Sequence, residues 1–194
     1  MKPSKEYPHR PLRLLILASG SVASIKIASI VSTLQTYGNI HIQVASTHSA
    51  LHFISLDKSR VWTDEDEWKI WRKQGDPVLH IELRRWADVV LLAPCSANTL
   101  AKVSNGICDN LVTCILRALD LSRTPVYIFP AMNTAMYQHP ITARQLDSIM
   151  QLGYIIKGPI SKNLACGDTG IGAMIEWMDI VHLVVDIFKL KKTP

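Results

Sequence analysis

Two stretches of the sequence set reactive side chains beside unusual backbone. Pro130-Ala131-Met132-Asn133-Thr134-Ala135-Met136-Tyr137 puts an amide and two thioethers just past Val126 to Phe129, an apolar run that reads as a buried strand. Ala165-Cys166-Gly167-Asp168-Thr169-Gly170-Ile171-Gly172 sets one thiol in a segment with too many glycines for a stable helix or strand, so a loop is expected. The reading is that the rest of the chain holds a cofactor against these two loops. Each residue also has a plainer explanation. Met132 and Met136, at helical spacing, are ordinary core filler, and a lone cysteine among glycines is usually just small. His80, after the apolar pair Val78-Leu79, is either a hydrogen-bonded, partly buried residue or a proton carrier.

The elements that must position them follow from periodicity. Leu14 to Ala18 is a continuous apolar run ending at Ser19-Gly20-Ser21. Ile27, Ile30, Val31 and Leu34 then fall on one helical face, with Gly38 expected to stop the helix, and Ile40, Ile42 and Val44 alternate as a second strand. Short strands joined by a crossover helix imply a parallel sheet. The turn Gly20-Ser21-Val22-Ala23 offers small residues and a hydroxyl at a helix start, where free N–H groups suit a phosphate. Ser46-Thr47-His48-Ser49 and Pro94-Cys95-Ser96-Ala97-Asn98-Thr99 repeat the pattern at two further strand ends, the usual ligand edge of an open α/β sheet. No GxGxxG occurs, so a dinucleotide fingerprint is unsupported.

Val89 to Ala93 reads as another buried strand. Helices are expected from about Thr99 to Val103, Asn110 to Leu119 and His139 to Leu152, with a short strand at Tyr154 to Ile156 and a terminal amphipathic helix through Ile180, Val184, Ile187 and Phe188. Asp57 to Gly75 reads as polar and irregular. Its acidic run Asp64-Glu65-Asp66-Glu67 has the look of a solvated face, and its tryptophans suit a loop anchor or a subunit contact.

A chain of 194 residues, 48% hydrophobic and 19% charged, is long enough for one well-filled core and too apolar for general disorder. A single domain over residues 12–190 with a flexible arm over 1–11 is expected. The net charge of +5 mildly favours anionic ligands but forms no basic stripe, which argues against nucleic acid. Cys95, Cys108, Cys114 and Cys166 lack CxxC or paired Cys/His spacing, so no metal site is expected and reduced thiols are the default, with Cys108 and Cys114 read as small buried hydrophobes. The apolar segment near the start is too short for an export signal, and no run approaches a membrane span; a cytoplasmic protein is expected.

The blocks Gly20-Ser21-Val22-Ala23, Asp76-Pro77-Val78-Leu79-His80-Ile81-Glu82-Leu83-Arg84-Arg85-Trp86-Ala87-Asp88, Ala93-Pro94 with Ser96-Ala97-Asn98-Thr99, Pro130-Ala131-Met132-Asn133 with Met136, and Ala165-Cys166-Gly167-Asp168 occur together in this order. In that order they closely resemble the flavin-containing cysteine decarboxylases, from about Leu12 to Ile187. The resemblance implies an α/β, flavodoxin-like (Rossmann-like) three-layer sandwich with FMN at the strand carboxyl ends. It implies a homotrimer with active sites between subunits, and decarboxylation of 4′-phosphopantothenoylcysteine to 4′-phosphopantetheine in coenzyme A synthesis. By position, Gly20, Ser21, Val22, Thr47, Ser49, Ser96, Ala97, Asn98, Thr99 and Ala131 would hold FMN, and Phe53 would lie against its ring. His80 would be a base or proton relay presented to a neighbouring subunit's flavin. Asn133 would bind the substrate carboxylate, Met136 would shape that pocket, Ala165 and Met174 would contact the substrate, and Cys166 would be the proton donor.

The family's chemistry explains these residue types. A plain α-carboxylate has no electron sink for the carbanion left by CO₂; oxidation of the cysteine thiol to a thioaldehyde supplies one. A neutral amide orients a carboxylate without the ground-state stabilisation that a cation would give. The substrate phosphate would meet Lys162 or Asn163, the latter standing where better-known eukaryotic relatives carry Arg or Lys; Tyr137 stands where many carry Trp. A regulatory subunit of a mixed trimer or a phosphatase inhibitor is the alternative from another class, and a decarboxylase of peptide C-terminal cysteines is a third. The retained His, Asn and Cys favour the enzyme, and the Asp76–Asp88 block favours the coenzyme A substrate.

Overall fold

The computed structural model describes residues 10–57, 61–163, 167 and 169–193. Strands β1 (Leu12–Ala18), β2 (Ile40–Ser46), β3 (Val61–Trp62), β4 (Val89–Cys95), β5 (Val126–Pro130) and β6 (Ile155–Ile156) form one parallel sheet in the order β3-β2-β1-β4-β5-β6. The runs that read as continuous apolar segments are those covered on both faces. In β1, Leu14 and Ile16 pack on one side with helices α1 (Ile27–Leu34) and α8 (Trp177–Phe188). Leu15 and Leu17 pack on the other with α3 (Leu79–Trp86), α4 (Ala97–Asn105), α5 (Leu111–Ala118) and α7 (Pro140–Leu152). This is the flavodoxin-like three-layer sandwich. Among the described residues no helix is long and apolar enough to cross a membrane.

Three local expectations change. The four apolar residues of α1 are all buried, but the helix ends at Leu34, and the left-handed residue of the following turn is Asn39, not Gly38. The segment read as irregular contains β3 and a helix, α2 (Asp64–Ile70). Helix α2 buries no residue, so it has no apolar period to detect; it forms because Thr63 and Asp66 make a capping box and four acidic residues sit at the positive end of the helix dipole. Trp62 anchors the edge strand, its indole N–H donating to Gln43 Oε1 at 2.6 Å, while Trp68 is 73% exposed.

The glycine-rich run is the third correction. Thr169–Ala173 is a strand, β8, pairing antiparallel with β7 (Ile160–Asn163) in a separate two-stranded ribbon. The connection between them carries Ala165 and Cys166, both of which lie outside the described residues.

Candidate functional site

The chain runs outward from β1 to β2 and β3, then returns to lay β4, β5 and β6 on the other side. The carboxyl ends of β1 and β4 therefore flank the switch point of the sheet. Ser19 bridges it: its Oγ donates to the Pro94 carbonyl at 2.8 Å and accepts from the Ser96 N–H at 2.8 Å. Ser21 caps a 3₁₀ turn, Val22–Lys26, with its Oγ 3.4 Å from the Ala23 nitrogen. Ser96 caps α4, accepting from the Thr99 N–H at 3.3 Å and donating to Thr99 Oγ1 at 3.2 Å, while Ala97 and Asn98 open the helix. The Thr47 and Ser49 hydroxyls lie 3.1 Å apart beyond β2. Gly20 is what lets these turns meet, because a Cβ there would fall 2.3 Å from Ser49 Oγ.

This corner fits a phosphate-bearing flavin. Ser46 Oγ, fully buried at the end of β2, has no hydrogen-bond partner among the described residues. Such an orphan costs roughly 1–3 kcal/mol unless a ligand or water meets it. Around it stand two serine-capped helical starts and a backbone approach that only glycine permits. Phe53 is half-buried at the end of the short 3₁₀ turn that follows Thr47.

A cavity of about 370 Å³ opens beside the corner. It is lined by Ser21, Val22 and Lys26 from the first turn, by Ala131, Met132 and Asn133 after β5, and by Lys162, Asn163, Gly172, Met174, Glu176 and Trp177 around the ribbon. The stretch after β5 and Gly172, from the described part of the glycine-rich run, thus line one cavity. Their contact explains the glycines: Gly172 has φ +144°, and a Cβ on it would lie 2.3 Å from the Met132 carbonyl oxygen. The Met132 N–H donates to the Gly172 carbonyl at 2.9 Å. Gly170 approaches Thr134 in the same way, a Cβ there falling 2.6 Å from Thr134 Oγ1, which is buried and unpartnered among the described residues.

Asn133 caps helix α6 (Thr134–Gln138), its Oδ1 accepting from the Ala135 N–H at 2.7 Å. With the oxygen held in the cap, an arriving carboxylate would be met by the amide's N–H groups. Lys162 Nζ pairs with Glu176 Oε1 at 2.5 Å, and Asn163 Oδ1 accepts from Thr169 Oγ1 at 2.5 Å. Met136 is 50% exposed and does not line the cavity. His80 also stays outside it: it lies on α3, whose apolar side packs on the sheet face opposite α1 and α8. His80 Nδ1 meets Glu67 Oε1 at 2.5 Å. Neither Glu67 nor Glu176 was legible as a site neighbour; nothing in their spacing marks them.

The other thiols divide by environment. Burial pushes the Cys95 thiol far up, as expected of a core residue. Cys108 is exposed, which corrects its reading as a buried hydrophobe: it lies in the loop before α5, outside the helix. Cys114 is partly buried on α5 and pushed up to about 11, by desolvation first and then by Glu67 and other negative neighbours.

The chain matches the Flavoprotein family over residues 2–189. It is 48% identical to mouse phosphopantothenoylcysteine decarboxylase over 184 residues, covering 94% of this chain and 88% of the mouse protein. It belongs to the phosphopantothenoylcysteine decarboxylase family of flavoproteins. An Arabidopsis thaliana phosphopantothenoylcysteine decarboxylase is 49% identical, with 93% of this chain and 86% of that one covered. Among solved structures, a cysteine-to-serine mutant of PPC decarboxylase complexed with pantothenoylaminoethenethiol superposes with a TM-score of 0.86 at 47% identity, over 93% of this chain and 100% of that one. The FMN binding protein AtHal3 gives 0.84 at 48% identity, over 93% and 98%.

Proposed function

We propose that this chain catalyses the FMN-dependent decarboxylation of 4′-phosphopantothenoylcysteine to 4′-phosphopantetheine in coenzyme A biosynthesis. The observation that carries the proposal is Asn133, its amide oriented by the α6 cap in a cavity bounded by the β7–β8 ribbon. Family membership at 48% identity supplies the substrate class. When bound, FMN would supply a reversible two-electron exchange, taking electrons from the cysteinyl thiol to create the sink that loss of CO₂ requires and returning them afterwards, so that the product is again a thiol.

Gly20, Ser21, Val22, Thr47, Ser49, Ser96, Ala97, Asn98, Thr99 and Ala131 would hold the cofactor through hydroxyls, helix-start N–H groups and close backbone approach, with Phe53 against its ring. Asn133 orients the carboxylate through neutral N–H donors, so the ionised ground state is not over-stabilised. The substrate phosphate falls to Lys162, which must then leave Glu176, or to Asn163. Ala165 and Met174 lie along the pantothenoyl arm in this reading, and Cys166 protonates the product carbon. The relative with serine in place of cysteine, complexed with an enethiol, supports a late role for that thiol.

His80 acts as base or proton relay at a neighbouring subunit's site. Its separation from the cavity of its own chain supports a homotrimer whose active sites lie between subunits, with Met136 and the exposed Trp68 on contact surfaces. Residues 12–190 form one flavoprotein domain in this proposal, working in the cytoplasm. Purified protein should be yellow, and incubation with phosphopantothenoylcysteine should give a product lighter by CO₂ by mass spectrometry. Protein that stays colourless with added FMN, or substrate recovered unchanged, would sink the reading.

A further inference from the structure

We propose that Glu67 is the positioning residue of His80: it holds Nδ1–H and thereby leaves Nε2 as the ring's basic nitrogen. This rests on the role proposed for His80 in decarboxylation. The acidic run that looks like a solvated face is divided among specific tasks. Asp64 Oδ1 accepts the Leu111 N–H at 2.6 Å, pinning α2 to the start of α5. Asp66 closes the capping box with Thr63. Glu65 is left outward, its side chain 57% exposed, whereas that of Glu67 is only 13% exposed.

Glu67 Oε1 lies 2.5 Å from His80 Nδ1, and the His80 backbone nitrogen is 3.4 Å from the same oxygen. Helix α3 receives no side-chain cap from Val78, so the Glu67 carboxylate stands at the N-terminal turn that presents His80. A carboxylate can only accept, so Nδ1 must carry the hydrogen. In the neutral ring Nε2 then holds the lone pair, the arrangement by which a carboxylate fixes tautomer and ring plane in catalytic histidines. Because the N-terminal turn of α2 is capped and pinned to α5, and Glu67 directly follows it, Glu67 is a fixed support rather than a swinging surface acid.

The test uses FMN-loaded protein. Isotope-labelled histidine NMR, with the His80 signals identified by their loss in His80→Gln, should show the Nδ1–H tautomer in the parent and in Glu67→Gln, whose amide oxygen still accepts. Glu67→Ala should give mixed tautomers. Its kcat should fall about 10- to 100-fold with KM changed less than about threefold, and Glu67→Gln should recover most of the rate. If Glu67→Ala does not fold, Glu67→Asp, one methylene too short to reach, replaces it with the same expected loss. An Nε2–H tautomer in the parent, or a short variant with unchanged tautomer and kcat, overturns the assignment. If no protein releases CO₂ while the tautomer still follows Glu67, the decarboxylase reading fails and the positioning role stands.

Discussion

Asn133 holds its oxygen in the cap of α6, so aspartate can replace it without disturbing the helix start. Asp and Asn cap about equally well, and the unfolding free energy of Asn133→Asp should stay within about 0.5 kcal/mol of the parent. Decarboxylation should nevertheless be abolished, because a second carboxylate would face that of the substrate; product mass reads the result, and retained turnover would remove Asn133 from the site. Two cysteines make a separate check on the local environments. With its pKa raised to about 11, Cys114 stays protonated near neutral pH and gains thiolate only as the pH climbs toward that value. At about pH 8 only about one Cys114 in a thousand is ionised, so peptide mapping after brief alkylation should find label on the exposed Cys108 first. Cys114 labelling should then accelerate with each step in pH. Equal labelling at the lower pH would show that α5 opens more readily than its packing implies.

The elements that were legible in the sequence are those whose signal is apolar. β1, β4 and β5 announce themselves because both faces are covered, and α1 and α8 because one face is. α2 and β8 were missed for opposite reasons. α2 has caps and charge but no buried residue, and β8 has glycines where strands usually have bulk. The glycines of β8 serve a contact rather than a bend: the strand lies against Met132 to Thr134 at a distance no side chain permits. Gly172→Ala meets both the positive φ and the Met132 carbonyl, so it should lose at least about 1–3 kcal/mol in denaturant unfolding or detach the ribbon locally. In either case substrate turnover should collapse while the flavin absorbance persists. Parent-like stability and turnover would mean that the ribbon does not shape the cavity.

At the scale of the whole molecule, the hydroxyl-lined strand ends could be found in the sequence because sheet topology alone brings them together. The pairing of His80 with Asn133 could not, since within one chain the structure leaves them apart. Only the resemblance to a family joined them, through a neighbouring subunit. That arrangement predicts complementation. His80→Gln and Asn133→Asp should each be inactive alone, and co-expression or mixing after mild dissociation should restore a measurable fraction of turnover, as one interface regains both groups. Mixtures that stay dead would place each site within a single chain.

One feature of the sheet also bears on how copies can meet at all. Its two margins, β3 and β6, are only two residues long. An extended foreign chain laid against either margin would find too few free backbone groups to zip onto, so the sheet gives little foothold for fibril growth. Crowding should therefore act on this sheet through side-chain contacts of the helices and loops that cover it, a form of association that point substitutions can tune.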